Sequence, residues 1–246
     1  MNTGLSHLFD VEAGLSLLPP RSGDLGDPSV PPFAVTLQNQ CAFSIEAALL
    51  AIHLINRYRY HKEIMTSADI TGCFLVAGKY EDGVTHPDSA KVAELAHLSE
   101  KEVFSSERQI CRTLNFELRW ANPMHFLRWF SHEADGWNSN TRRLAKAFLA
   151  AHAFNSDDSS KPSSLKAAAA LFAAKSVTKS GPWTQYHIQV TRHPEAAVSG
   201  LSKEMIRVLS EVIISGTSPF GKLLTKEDVS LILGFPPGIC TFRNKD

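Results

Sequence analysis

Apolar residues recur at helical spacing along most of the chain, and no stretch shows the sustained two-residue alternation that is typical of a half-buried strand. Local signals mark where individual helices begin. Ser99 and Glu102 form a Ser-x-x-Glu capping box, and Asn122-Pro123 places a proline at the first position of the next helix. These patterns predict an all-α fold, with helices from residue 44, over 67–80 and 99–114, after 122–123, and near 163–176, 183–190, 201–214 and 225–233.

Two segments interrupt the helical pattern and divide the chain into blocks. Prolines are frequent in 18–32, and proline removes an amide donor and restricts the residue before it. We therefore predict that residues 1–35 are poorly structured, apart from one short helix near the start. The Gly, Ser and Asn residues of 135–140 are typical of a linker. The helices on either side of it predict two bundles of similar size, 36–134 and 135–246.

The composition disfavours some classes of partner and compartment. Lys plus Arg and Asp plus Glu each number 25, so the net charge gives no reason to expect nucleic acid or an anionic membrane as the main partner. No apolar run reaches the roughly 18 residues of a membrane span, and residues 1–10 lack the features of a secretory signal. The cysteines, which lack the spacing of zinc or redox motifs, are Cys41, Cys73, Cys111 and Cys240.

Motifs for catalysis and for cofactors are missing as well. The sequence contains no glycine-rich phosphate loop, no Gly-x-Ser-x-Gly and no His-Glu-x-x-His. His53 and His61 are eight residues apart without a third ligand nearby, which disfavours a metal site. We therefore expect a soluble intracellular protein that has no catalytic activity, no cofactor and no metal.

Three stretches in the first half resemble the cyclin box. Residues 50–58, Leu-Ala-Ile-His-Leu-Ile-Asn-Arg-Tyr, resemble the helix that ends in Asp-Arg-Phe, with Asn56 in place of the Asp. Residues 75–82, Leu-Val-Ala-Gly-Lys-Tyr-Glu-Asp, are similar to the family pattern Leu-Ala-Ser-Lys-Tyr-Glu-Glu, and 98–118 is similar to the helix and its exit that follow. Residues 143–177 are similar to the C-terminal fold of the A- and B-type (mitotic) cyclins. The resemblance implies two tandem cyclin-like helical bundles.

This resemblance also implies a function. The chain would be a regulatory subunit that binds and activates a cyclin-dependent protein kinase in G2 and mitosis, as a heterodimer. Lys79 and Glu107 would form the family's buried charged pair facing the kinase, with Val76 and Cys111 as apolar neighbours. Without the family, the same two charges predict an ordinary ion pair within the chain, or a lysine whose charged end reaches solvent.

The resemblance assigns four further residues to the kinase interface. Phe116, with Leu118, would lie against the key helix of the kinase, although a single phenylalanine is usually a core residue. Glu81 and Asp82 would lie near the activation segment, where carboxylates can pair with arginines. The alternative is an acidic helix end on the surface. Acidic residues are unfavourable at that end, which favours a partner.

One part of the family pattern is absent. Mitotic cyclin boxes usually open with Met-Arg-x-x-Leu-x-x-Trp, whereas this chain has Val-Pro-Pro-Phe-Ala-Val-Thr-Leu at 30–37, so we expect the first helix to be replaced or lost. In the family that helix contributes to the groove for Arg-x-Leu substrate motifs, so its change disfavours this docking. The alternatives are a scaffold with the fold but without kinase activation, and a DNA-binding protein like the general transcription factors of the B type. Residence in the nucleus and cytoplasm is implied by the family alone.

Overall fold

The structure of the chain is a computed structural model that describes residues 3–14, 30–62, 64–83, 88–155, 161–216 and 223–236. Within these ranges every regular element is an α-helix, which confirms the all-α prediction. The helices are α1 Thr3–Gly14, α2 Val30–Cys41, α3 Ile45–Tyr58, α4 Ser67–Glu81, α5 Ser89–Leu95, α6 Glu100–Thr113, α7 Pro123–Asp135, α8 Ser139–Asn155, α9 Ser163–Thr178, α10 Gln185–Thr191, α11 Glu195–Ser215 and α12 Lys226–Leu233.

Side chains near the helix ends explain where several helices begin. The hydroxyl of Ser44 accepts the amide of Ala47 at the start of α3. Ser99 and Glu102 form both bonds of the predicted capping box at the start of α6. Pro123 is the first residue of α7, where a missing amide costs nothing because no intrahelical acceptor faces it. These starts agree with the predicted positions.

Helix α2 decides between the two expectations for the first helix of the cyclin box, because a helix of different sequence is present and the helix is not lost. The chain is helical from Val30 to Cys41 although two prolines follow Val30. Both prolines lie in the first turn, where the amide groups have no partner within the helix. Ala34 and Leu37 are fully buried, and α2 packs on α4 and α5. Of the segment predicted to be poorly structured, residues 15–29 lie outside the described residues, as do the first two.

The first compact unit comprises residues 18–120 with 153–160 and is built around α4. This helix packs against α3 and α6, and every residue from Asp69 to Gly78 is buried. Gly72 lets α6 come close, because a Cβ atom at this position would lie 2.7 Å from Ile110 Cδ1 and 3.2 Å from the amide nitrogen of Glu107. The close contact of α4 with α6 determines which side chains meet at the outer ends of both helices.

The second compact unit comprises residues 1–17, 121–152 and 161–246 and is built around α9. The alanine-rich α9 packs against α7 and α11, and its buried residues lie on all sides. Helix α7 belongs to this unit because Phe126 and Phe130 lie in its core. The boundary therefore lies near residue 120, before α7, and not at the 134/135 position that the linker predicted.

Helix α1 packs on the same unit. The Phe9 ring lies 5.2 Å from the ring of Phe126, and the Arg192 guanidinium lies 4.0 Å from the centre of the Phe9 ring. The Glu12 carboxylate accepts the amide of Ser164 at 2.7 Å. Since α9 has no side-chain cap of its own, this carboxylate satisfies an amide at the positive end of the α9 dipole.

Candidate partner-binding surface

Lys79 and Glu107 form an ion pair between α4 and α6, as predicted. Lys79 Nζ donates to both carboxylate oxygens of Glu107, at 2.6 and 2.8 Å. The same ammonium lies 5.5 Å from the ring centre of Phe104. The side chains are 40% and 15% exposed, so the pair is not buried as the resemblance implied. Because Lys79 lies in the last turn of α4, its charged end reaches solvent beyond the helix contact.

The apolar residues around this pair differ in how accessible they are. Val76 is buried, whereas Cys111 is half-buried one turn after Glu107. Burial raises the pKa of the Cys111 thiol, and the Glu107 carboxylate raises it further, while Lys79 acts in the opposite direction. Cys111 is therefore a neutral, small contact residue. Tyr80 follows Lys79 and is half-exposed.

The chain leaves α6 through a tight turn that exposes Phe116. The amide of Phe116 donates to the carbonyl of Cys111 at 2.8 Å, and the amide of Asn115 donates to that of Arg112, which is the hydrogen-bond pattern of a Schellman motif. Asn115 has φ +52°, which asparagine tolerates, but Phe116 also has φ +55°. Such a conformation costs a bulky residue about 1–3 kcal/mol.

The side chain of Phe116 is 69% exposed, so burial within the chain offsets that cost only in part. A strained backbone that presents a large apolar side chain to solvent has no purpose in packing within the chain, and it favours a contact with a partner. Leu118 lies two residues further on and is half-buried, and its amide donates to the carbonyl of Phe116 at 3.0 Å. Lys79, Tyr80, Glu107, Cys111 and Phe116 together are called the α4–α6 surface below.

Two residues of the 50–58 stretch, to which the sequence assigned no binding role, hold the segment after Phe116. Arg57 Nη1, from the last turn of α3, donates to the carbonyl of Glu117 at 2.5 Å. The His53 ring, one turn earlier, stacks on Trp120 with 4.5 Å between ring centres and 8° between planes. Their spacing of four residues is the only sequence signal for this pairing, since it places both on one face of α3.

The acidic pair at the end of α4 has an interaction within the chain. Asp82 is the C-cap of α4, and its Oδ2 accepts the amide of Ser44, the N-cap residue of α3, at 3.2 Å. The negative charge is unfavourable at the end of α4 but favourable at the beginning of α3. Asp82 therefore has a structural role that the sequence did not predict, and Glu81 is the half-buried residue before it.

The part of the chain that the structure describes contains no cluster of three or more His, Cys, Asp or Glu side chains arranged for a metal ion. Within the same part, each helix is too short or too polar to cross a membrane.

Comparison with known proteins identifies the family. The model described as "Cyclin, N-terminal domain" matches residues 30–119, and "Cyclin, C-terminal domain" matches residues 121–218. The chain belongs to the cyclin family. The first match begins with α2, in agreement with the helix found there, and the two matches meet at residue 120, where the compact units divide.

Curated relatives of this cyclin are mitotic. It is 31% identical over 144 residues to the "G2/mitotic-specific cyclin cig2" of Schizosaccharomyces pombe, which covers 56% of this chain and 34% of the relative. It is 28% identical over 173 residues to the "G2/mitotic-specific cyclin cdc13" of the same organism, and the match covers 68% of this chain and 36% of the relative. It is 32% identical over 155 residues to the "G2/mitotic-specific cyclin-2" of Saccharomyces cerevisiae, and this match covers 61% of the chain and 31% of the relative. This cyclin thus spans about a third of their length.

A solved structure shares the fold. The X-ray structure of a viral cyclin from herpesvirus saimiri superposes with a TM-score of 0.67, covering 88% of this chain and 98% of the viral chain. The two sequences are only 16% identical, so the likeness demonstrates the arrangement of helices and nothing finer. It confirms the predicted fold class of two tandem cyclin-like helical bundles.

Proposed function

We propose that this cyclin is the regulatory subunit of a heterodimer with a cyclin-dependent protein kinase, which it binds and activates in G2 and mitosis. The single observation that carries the proposal is the exposed, strained Phe116 at the exit of α6, the helix that also holds Glu107 in the ion pair with Lys79. The family and the G2/mitotic-specific names of the relatives support it.

The proposed mechanism is a shift in the conformational equilibrium of the kinase. A protein kinase is inactive when its Lys–Glu pair and its metal-binding loop are not both in place. A rigid partner that binds better to the active arrangement raises the population of that arrangement. Phe116 would fill a pocket on the kinase as a binding hot spot, and Lys79 and Glu107 would bond to kinase backbone. This role requires no catalysis by the cyclin itself.

The ion pair can be tested without unfolding the protein. The double substitution Lys79→Ala with Glu107→Ala should abolish histone phosphorylation by the co-purified kinase. Since the Lys79 end of the pair is solvent-accessible, its removal should cost less than about 1 kcal/mol of folding free energy. The matched control is Arg207→Ala with Glu211→Ala, which removes an exposed ion pair of 2.7 Å on α11. Full activation by the first variant would reject the assignment.

Phe116→Ala tests the proposed hot spot. Truncating an apolar hot-spot residue costs 2 kcal/mol or more of binding free energy, so we expect kinase affinity to fall about 30-fold or more. Ile214→Ala is the control, because Ile214 is 76% exposed on the other unit. Affinity is measured by titration of immobilised kinase, and folding by the thermal midpoint. Equal affinities for the two variants would contradict the role of Phe116.

The same experiments address the two alternative functions. A scaffold would co-precipitate with the kinase without activating it. That alternative depended on a missing first helix, and α2 removes this support. A DNA-binding protein would shift DNA in a gel at low salt, which the balanced charge disfavours. Residence in the nucleus and cytoplasm belongs to the proposal too, and imaging of the tagged chain through G2 and mitosis tests it.

A further inference from the structure

The turn that presents Phe116 receives little stabilisation from the Phe116 side chain. This side chain is mostly exposed and its backbone is left-handed, so the conformation must be held by the residues on either side. On the α6 side, the Schellman hydrogen bonds and the buried Leu114 fix the chain up to the turn. On the far side, the chain continues through Glu117 to Trp120, and these residues contact α3.

Arg57 and His53, which we call the α3 clamp, make the contacts on that far side. The guanidinium of Arg57 binds the backbone carbonyl of Glu117, the residue next to Phe116. Burial lowers the pKa of Arg57 and the Glu117 carboxylate acts against this, but an arginine stays charged in proteins. The Glu117 side chain itself pairs with Arg119 at 3.1 Å. The clamp therefore holds backbone and the Trp120 ring, and it leaves Phe116 accessible.

We propose that Arg57 and His53 are positioning residues of the kinase interface, which hold the 115–120 segment so that Phe116 is presented in its binding conformation. The inference deepens the proposed function and rests on it. The physical reason is preorganisation. A loop that is already ordered does not lose conformational freedom on association, so a larger part of the contact energy appears as affinity.

An alternative role for the clamp is ordinary packing, in which its loss would only destabilise the fold. The two roles differ in what a conservative substitution changes. Arg57→Lys keeps the positive charge but loses the planar, multi-donor geometry that fits a carbonyl next to a bend. Under the proposal, this variant stays folded and binds the kinase more weakly. Under ordinary packing, the folded fraction falls and the affinity of each folded molecule is unchanged.

The first test uses the full chain alone. Amide hydrogen exchange is measured at Glu117 and Leu118, whose amides donate to Leu114 and Phe116. Arg57→Lys and His53→Leu should each raise the exchange rates of these two amides about threefold or more, and the exchange rates of the α9 amides should not change. Arg207→Lys, on the exposed face of α11, is the matched control and should change neither. Unchanged exchange at Glu117 and Leu118 would overturn the inference whether or not the chain activates a kinase.

The second test is a double-mutant cycle with the kinase that co-purifies with the wild-type chain. Arg57→Lys should weaken binding about fivefold or more when Phe116 is present, and less than twofold in a Phe116→Ala background, because the clamp acts through that side chain. Equal losses in both backgrounds would overturn the positioning role while leaving kinase activation intact. Failure of the wild-type chain to activate any kinase would instead reject the proposed function.

Discussion

The two units of this cyclin each contain a lysine–carboxylate pair, and the pairs differ mainly in exposure. In the first unit, Lys79 and Glu107 are 2.6 Å apart and the lysine reaches solvent. In the second unit, Lys175 and Asp135 are 2.5 Å apart, with side chains only 3% and 8% exposed, and Lys175 also donates to the carbonyl of Ser180. A solvated pair contributes little to folding and is accessible to a partner, whereas a buried pair is required by the fold.

The largest difference between the two pairs should appear when each loses its lysine. Lys175→Met leaves the Asp135 carboxylate buried without its main partner and should cost about 3–5 kcal/mol of folding free energy. Lys79→Met should cost less than about 1 kcal/mol. Urea unfolding of both variants measures the difference. Similar losses of folding free energy in the two variants would mean that exposure does not determine how much each pair stabilises the fold.

Acid should weaken the buried pair through Asp135. Burial raises the pKa of Asp135, but the hydrogen bond and positive charge of Lys175, together with the His187 ring 3.8 Å away, outweigh burial, so the pKa is lowered overall. A lowered pKa in the folded state gives stabilisation that is complete above the unfolded value, about 3.9, and is lost as the pH falls through the folded value. The loss should be smaller than for Lys175→Met, because a protonated carboxyl still accepts a hydrogen bond.

The variant Asp135→Asn isolates this contribution. This variant should be less stable than the wild type at neutral pH. Between pH 5 and pH 2, its free energy of unfolding should fall less than that of the wild type. These pH limits lie about one to two units on either side of the unfolded pKa of an aspartate. The measurement is the urea midpoint across the pH series. An unchanged acid dependence in Asp135→Asn would show that other carboxyl groups, such as Asp228 with its own lowered pKa, account for acid unfolding.

The smallest expected effect concerns a helical glycine in each unit. Gly72→Ala places a methyl group against Ile110 and the backbone of Glu107, and overpacking of this kind costs about 1–3 kcal/mol, against a gain of about 1 kcal/mol in helix propensity. We expect a net loss of about 1 kcal/mol. Gly200→Ala in α11 meets no atom within 4 Å and should stabilise by up to about 1 kcal/mol. If both substitutions changed the free energy of unfolding in the same direction, the close contact of α4 with α6 would be contradicted.

Several local features were predictable because their causes lie within a few residues. The capping box of Ser99 and Glu102, the N-cap Ser44 and the first-turn Pro123 all lie where the sequence predicted. The ion pair of Lys79 with Glu107 was also predicted, both by the family resemblance and as an ordinary pair within the chain. Its surface location could not be predicted, because burial depends on where the chain packs over the ends of α4 and α6.

The misjudged regions share a physical cause. Proline frequency near residue 30 predicted no helix, although a proline in the first turn is harmless once the remaining turns can bury Ala34 and Leu37. The unit boundary was predicted from a flexible-looking linker, although α7 packs with α9. The clamp of Arg57 and His53, which holds the segment after the left-handed Phe116, brings together residues about 60 positions apart. Local propensity contains no information about such contacts.

The sequence by itself determined that this cyclin is helical and where most of its helices begin, because hydrogen bonding within a helix and at its caps depends on neighbours in the chain. Its motifs also determined which family it resembles. Only the tertiary structure decided that Lys79 and Phe116 face solvent, that Asp82 caps α3, and that Lys175 and Asp135 are enclosed. Exposure is set by which helix faces pack together, and that depends on contacts between residues far apart in the chain.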